Sequence, residues 1–308
     1  MISIVFSTFN GGKTLPSMLS ALVNITPPLE AWEIVVVNNN STDDTLSILK
    51  EYQQQLPLKI LFEEKKGKNQ ALNTAIKHVQ GDIVVLTDDD IIPQTDWIIK
   101  IREIVDKEPS FSIFGGKIEP FWSIPPKLWN IEWIQTGIVY GITPDSNKSG
   151  KIGAGSIWGA NMVIRRDIFD KGYRFDTAIG PDGTNNYVMG SETSFTFMLE
   201  KEGYQCWFEP SFIVKHIIKE SQMSPQWVLS RAIRFGRGEA KKRILSGKEE
   251  RHQYLFGVPR YLFRKRLEYE LKKLMSLISF DKEYAFKLQW EINFLKGLII
   301  ENRLHNNQ

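Results

Sequence analysis

The chemistry-bearing residues of this chain gather at three places. Thr87-Asp88-Asp89-Asp90 follows directly on the apolar run Ile83-Val84-Val85-Leu86. Adjacent carboxylates at a strand end repel one another. A hard divalent cation with oxygen ligands, Mg2+ or Mn2+, relieves that repulsion and keeps coordination positions for phosphate oxygens. Asn38-Asn39-Asn40-Ser41-Thr42-Asp43 ends another apolar run. Asn amides can read the edge of a base, and a helix starting behind them offers its N–H groups to an anion; the same residues also suit a plain Asx-turn feeding a helix cap. Gly190-Ser191-Glu192-Thr193 opens a helix-like stretch, with Ser191 placed to cap it and Glu192 in its first turn. A carboxylate there complements the helix dipole and becomes a general base if it faces the aspartates.

Such residues need a scaffold that brings strand ends together. Runs at 2–7, 33–38, 58–63, 82–87 and 111–118 alternate with helix-length stretches near 14–24, 43–55, 69–79 and 95–106. The alternation implies an α/β fold, a Rossmann-like, mostly parallel sheet flanked by helices, and such sheets bind ligands beyond the carboxyl ends of their strands. Residues 159–165 read as a further strand and 191–202 as a helix ending at Gly203. From about residue 224 the pattern turns helical and basic, so a domain over 1–220 and a basic helical extension over 221–308 are expected.

Composition narrows the class. The 308 residues are 42% hydrophobic and 24% charged, which excludes disordered and fibrous chains. The net charge of +3 conceals a split: residues 219–308 hold 19 Lys+Arg against 10 Asp+Glu, whereas 1–218 hold 20 against 26. The single cysteine, Cys206, excludes an internal disulfide and a multi-thiolate zinc site and points to a reducing compartment. Met1-Ile2-Ser3-Ile4-Val5-Phe6 has no basic leader ahead of it, and no window offers about 18 consecutive apolar residues. A cytoplasmic protein, at most peripheral on the inner face of a membrane, is expected.

Further segments complete an ordered series. Ser7-Thr8-Phe9-Asn10 ends the first strand run, and Val36 through Asp43 ends the second. Gly67-Lys68 precedes Ala71-Leu72-Asn73, and Gly81-Asp82 leads into the aspartate run. Trp158-Gly159-Ala160-Asn161-Met162 with Arg165-Arg166, Gly190 through Gly203-Tyr204, and Pro210 through His216 follow. In this order, over roughly residues 1–220, the series resembles the family 2 glycosyltransferases, inverting nucleotide-sugar enzymes of the GT-A fold.

That resemblance implies roles. Thr8, Asn10, Asn38, Lys68 and Asp88 would hold the nucleotide, with Lys68 near the uracil side of a UDP-sugar and Asp88 near the ribose. Asp89 would ligate Mn2+ or Mg2+ on the diphosphate, with His216 as a further candidate for metal or diphosphate. Glu192 would take the acceptor proton, and Asp90, Trp158, Asn161 and Ser191 would lie on the acceptor side or support the site. Three positions depart from the family pattern: Asn38 and Thr87 stand where Asp is common, and Ser191-Glu192 replaces a common Glu-Asp pair. The implied partners are the donor and a glycan, glycolipid, lipid-linked or protein acceptor, in polysaccharide or cell-envelope assembly.

The rest of the chain carries weaker signals. Trp122, Trp129, Trp133 and Trp158 suit either sugar faces or ordinary packing. Gly-rich turns at 11–12, 115–116 and 153–155 read as loop chemistry, since no Gly-x-x-x-x-Gly-Lys-Ser/Thr occurs. Arg231 and Arg234 are candidates for the diphosphate. With Arg237, Lys241, Lys242 and Arg243 they also suggest a basic helical face within 224–273 for an anionic membrane surface, set against a solvated bundle face. Nucleic acid is not expected, given the acidic body and the lack of a binding motif. Two rival functions share the pattern: a sugar-nucleotide pyrophosphorylase, which would want an Arg/Lys-bearing Gly-rich loop where only Gly11-Gly12-Lys13 stands, and a non-catalytic sugar- or lipid-binding scaffold.

Overall fold

The computed structural model describes residues 1–184, 186–245 and 253–306; His252 and residues 246–252 of the basic stretch lie outside them. The chain divides into two compact units. The first comprises Met1–Phe121, Tyr140–Thr184 and Ser191–Ile217; the second comprises Trp122–Val139, Asn185–Gly190 and Ile218–Gln308.

The first unit is built as the strand-helix alternation requires. β1 (Ile2–Thr8), α1 (Leu15–Val23), β2 (Trp32–Asn38), α2 (Thr45–Tyr52), β3 (Leu58–Phe62), α3 (Lys68–Ile76) and β4 (Ile83–Leu86) follow in order. The strands pair in parallel as β3-β2-β1-β4. Each strand is apolar on both faces because both are covered. Ile2, Ile4 and Phe6 of β1, Ile34 and Val36 of β2, and Ile83 and Val85 of β4 meet α1 through Leu15, Met18, Leu19 and Leu22. The intervening Val5, Val35, Val37, Val84 and Leu86 meet Ala71, Leu72, Ala75 and Ile76 of α3. The period-2 alternation of a pleated strand thus feeds two cores from one continuous apolar run.

Beyond β4 the order departs from simple alternation. β5 (Ile91–Pro93) and α4 (Trp97–Lys107) precede β6 (Ile113–Trp122), yet β6 does not lie beside β4. After the short helices α5 (Trp129–Glu132) and α6 (Thr136–Tyr140) and the strand β7 (Gly150–Ile152), β8 (Met162–Arg165) inserts between β4 and β6, antiparallel to both. α7 (Arg166–Asp170) and α8 (Ser191–Lys201) lead to β9 (Cys206–Ile218), which takes β5 and β7 as antiparallel partners. Three-residue β5 carries no periodic signal, and only the register Ile91↔His216 makes it a strand. That pairing sets the residues beside Asp90 next to His216.

The second unit is largely helical: α9 (Pro225–Leu245), β10 (Tyr254–Leu255), β11 (Val258–Pro259), α10 (Arg260–Ile278) and α11 (Lys282–Asn306). Ala240, Val258, Leu262, Leu295, Leu298 and Ile299 form its core. α9 and α11 approach closely through glycines: a Cβ on Gly236 would fall 2.1 Å from the Phe294 carbonyl, and one on Gly297 would fall 2.1 Å from that of Ile233. Arg237 Nε meets Glu301 Oε2 at 2.9 Å across this seam. Trp129 and Trp133 pack against Phe286, with centroids 5.3 and 6.1 Å away, so packing rather than sugar stacking occupies those two rings.

Cys206 begins β9 inside the first unit's core, where burial, with Glu200 adding to it, pushes its thiol up to about 12. The native chain is therefore expected to resist a thiol reagent at pH 8 and to react after denaturation. Rapid labelling of the folded protein would contradict this placement.

Candidate active site

The three aspartates do not share one charge cluster; they part in three directions. Asp88 Oδ1 lies 2.6 Å from Lys68 Nζ. Asp89 Oδ2 accepts the Thr8 hydroxyl at 2.5 Å. Asp90 Oδ1 lies 3.4 Å from His216 Nε2. The repulsion that pointed to a cation from sequence is thus eased within the protein by Lys68 and His216.

Lys68 reaches further. Its ammonium lies 2.6 Å from Glu192 Oε1 as well, with side-chain exposures of 17% for Lys68, 29% for Asp88 and 20% for Glu192. Burial works against the charge on Lys68, but the two carboxylates outweigh it and hold the ammonium well above its usual range. One cation therefore joins a residue from the end of β4 to one from the first turn of α8, more than 100 positions later. Glu192 and the aspartate run do face one another, the condition under which sequence made Glu192 a base candidate.

Several residues hold this geometry. Asn39 donates to the Glu63 and Lys65 carbonyls and accepts from Gly67 N–H, fixing the turn that delivers Lys68. Asn69, 1% exposed, donates to the Asp176 and Ile179 carbonyls and accepts the Ser191 hydroxyl at 2.5 Å. Asn73, one turn along α3, exchanges two hydrogen bonds with the Phe175 backbone. Ser191 is accordingly the first residue of α8 and is tied to α3, not its cap. Two glycines allow close approach: a Cβ on Gly159 would fall 2.4 Å from Glu192 Oε1, and one on Gly11 would fall 2.7 Å from Asp89 Oδ2. The sequence gives Gly11 only a loop role, offers Asn39 as one of a run of base-reading or turn-forming amides and does not single out Asn69, whose one signal is its position at a helix start.

The other candidates have defined places. Asn38 Oδ1 accepts from Ser41 N–H and Asn10 Oδ1 from Thr42 N–H, which clasps the loops after β1 and β2. Asn10 and Asn40 sit in left-handed backbone, with φ of 53° and 60°. Asp43, read from sequence as part of a cap, accepts from Thr45 and Gly12, and these donors outweigh burial to lower its pKa. Thr87 is 1% exposed and donates to the Ala160 carbonyl at 2.7 Å, a contact that an acceptor-only carboxylate could not make. Asn161 is fully buried: it accepts from Trp97 Nε1 and donates to the Lys117 and Phe212 carbonyls, so it braces β6, β9 and α4. Trp158 is partly buried against the core on the α1 side of the sheet.

His216 has Nδ1 2.6 Å from the Tyr140 carbonyl. Burial opposes its charge, but Asp90, Asp88 and that carbonyl outweigh it, so its pKa is raised. Nδ1 as donor to the Tyr140 carbonyl leaves Nε2 facing Asp90, and a backbone carbonyl that fixes one ring nitrogen in this way is common behind histidines that bind metal through the other. Arg231 and Arg234 belong to the second unit. Arg231 donates to the Tyr187 hydroxyl and the Ile138 carbonyl, and Arg234 lies 5.0 Å from the Tyr187 ring centroid and donates to Ser230 Oγ.

Among the described residues, no three His, Cys, Asp or Glu side chains form a group able to hold a metal ion by themselves. Mg2+ and Mn2+ sites in phosphate chemistry use one or two carboxylates and complete the shell with water and phosphate oxygens. Asp89, which accepts the Thr8 hydroxyl, and His216, whose Nε2 lies beside Asp90, are of the residue types that requirement asks for.

Comparison with known proteins bears on family and fold. Residues 3–173 match the model of glycosyl transferase family 2. A Methanococcus voltae protein, dolichyl N-acetyl-alpha-D-glucosaminyl phosphate 3-beta-D-2,3-diacetamido-2,3-dideoxy-beta-D-glucuronosyltransferase, is 26% identical over 232 residues, 71% of this chain and 68% of its own. The probable glycosyltransferase YdaM of Bacillus subtilis is 26% identical over 69% of this chain, which spans about half of that protein, 49%. The mannosyltransferase PcManGT of Pyrobaculum calidifontis, solved with GDP-Man and Mn2+, superposes with a TM-score of 0.64 at 16% identity, over 100% of this chain and 88% of its own. Staphylococcus aureus TarS 1–349, solved with UDP-GlcNAc, gives 0.55 at 18% identity, over 81% and 68%. The structural likenesses are of fold.

Two outcomes test the geometry. Lys68→Met leaves Asp88 and Glu192 without their shared cation and is expected to destabilise by about 3–5 kcal/mol in urea unfolding at pH 7. The deficit should narrow as the pH falls through the carboxylate range, because protonation discharges the two unpaired groups. Asn161→Ala strands Trp97 Nε1 and two carbonyls and is expected to cost roughly 3 kcal/mol at unchanged m-value; a change below about 1 kcal/mol would remove its bracing role.

Proposed function

Because the chain belongs to glycosyl transferase family 2, we propose that it is an inverting transferase moving a sugar from a nucleotide-sugar donor to an acceptor hydroxyl. The observation that carries the reading is the shared Lys68 ammonium, which puts Glu192 and the donor-side Asp88 at one place. A UDP-sugar is the first choice of donor. PcManGT with GDP-Man and Mn2+ and TarS with UDP-GlcNAc support a nucleotide-sugar donor and a divalent ion without choosing the base. The dolichyl-phosphate-linked substrate in the Methanococcus voltae name supports a lipid-linked or glycan acceptor.

The residues divide the work. Thr8, Asn10, Asn38 and Asp88 bind the nucleoside, the two Asn side chains presenting their NH2 groups because their oxygens are taken by Ser41 and Thr42. Asp89, with His216, holds a divalent ion that, when bound, supplies Lewis acidity for charge developing on the leaving diphosphate. The acceptor oxygen attacks the anomeric carbon, and its proton passes to a Glu192 carboxylate oxygen. The bond from the anomeric carbon to the phosphate oxygen breaks, and its electron pair leaves with the diphosphate. A carboxylate pinned to an ammonium is a weak base, so substrate entry must loosen the Glu192–Lys68 pair before Glu192 accepts a proton.

Asp89→Asn and Glu192→Gln are each expected to lower turnover by at least ~100-fold. Glu192→Gln should keep a donor-induced thermal shift in a screen of UDP-, GDP-, dTDP- and CMP-sugars with and without Mn2+. Near-wild-type transfer by Glu192→Gln would remove it as the base, and pyrophosphate release from nucleoside triphosphates would favour a pyrophosphorylase.

A further inference from the structure

α10 is apolar on the face that should be polar. Leu262, Tyr269 and Ser276, two helical turns apart, point toward the second unit's interior. The opposite face carries Leu267, Leu271, Leu274, Met275 and Ile278, each 56% to 72% exposed. Their spacings of four, three, one and three residues place them on one stripe about 16 Å long. Phe280, 86% exposed, extends it past the helix end, where the backbone takes a φ of 59°. A helix of a globular protein ordinarily keeps such side chains inward, and a contiguous outward stripe marks a surface that something covers.

Charge identifies the cover. α10 holds Arg260, Arg264, Lys265, Arg266, Lys272 and Lys273 against Glu268 and Glu270. Arg260 and Arg264 continue the line of the stripe toward the helix start, whereas Lys265 and Lys272 lie over the inward Tyr269 ring and Lys272 pairs with Glu268 at 2.5 Å. Arg231, Arg234 and Arg237 of α9 are engaged inside the unit with Tyr187, Ser230 and Glu301. A row of leucines led by Arg260 and Arg264, on a helix with six basic against two acidic residues, matches the interface of an anionic bilayer, where apolar groups enter the acyl boundary and cations meet the headgroups. A second copy of the chain would bring a face of the same sign against this one, which opposes self-association. No helix among the described residues is long and apolar enough to cross a membrane. We propose that the outward face of α10, continued by Phe280, is a docking surface for anionic lipid headgroups and the acyl boundary beneath them.

The test needs neither donor nor acceptor, so its result stands apart from the transferase reading. The full chain is sedimented with phosphatidylglycerol–phosphatidylcholine vesicles and with phosphatidylcholine vesicles, and is compared with Leu271→Asp/Met275→Asp and Arg264→Glu/Lys265→Glu variants whose melting temperatures are checked. The expected result is binding to the anionic vesicles, weakened by salt and lowered at least ~100-fold by Leu271→Asp/Met275→Asp. The Arg264→Glu/Lys265→Glu variant should bind less well and lose most of the salt dependence. Three results would overturn the proposal: no sedimentation with anionic vesicles, equal binding to phosphatidylcholine alone, or a folded Leu271→Asp/Met275→Asp variant that binds as the wild type does. A stable dimer in light scattering that dissociates with the same two substitutions would also overturn it, by assigning the stripe to a second copy.

Discussion

A single ammonium between two carboxylates organises the first unit. Lys68 starts α3, Asp88 follows β4 and Glu192 starts α8, so the contact ties three elements that the chain reaches at widely separated positions. Removing a cation from water is costly, and two carboxylates at 2.6 Å more than offset that cost. The arrangement also makes the two carboxylates interdependent: the same ammonium that places Glu192 places Asp88, so a change at one is felt at the other through a single side chain.

The scaffold was legible because its signal is redundant. Each inner strand announces itself by a continuous Val/Ile run, and each polar cluster sits where a parallel sheet exposes its strand ends. The insertion of β8 between β4 and β6 was not legible, because antiparallel order depends on pairings across about 50 to 80 residues and not on local pattern. Within the site, sequence located the charged and polar residues but not their partners. The aspartate run looked like one cluster in need of a cation, whereas Thr8, Lys68 and His216 arrive from elsewhere and draw the carboxylates apart. The backbone-holding roles of Asn39 and Asn69 were not legible for a related reason: an Asn that serves backbone groups looks the same in sequence as one that reads a base.

The departures from the family pattern now have physical meaning at two positions. Thr87 is buried and donates to the Ala160 carbonyl, so this strand end supports β8 where a carboxylate would have to be ionised without a donor at hand. Ser191 gives its hydroxyl to Asn69, so the residue ahead of Glu192 is a fastening point for α8.

That fastening concentrates the site's alignment on one helix. Lys68, Asn69 and Asn73 all stand on α3, which thereby carries the counter-ion of Glu192, the anchor of α8 and the grip on residues 175–179. A displacement of α3 would therefore carry the Glu192 carboxylate, the start of α8 and that segment along with it, as one body.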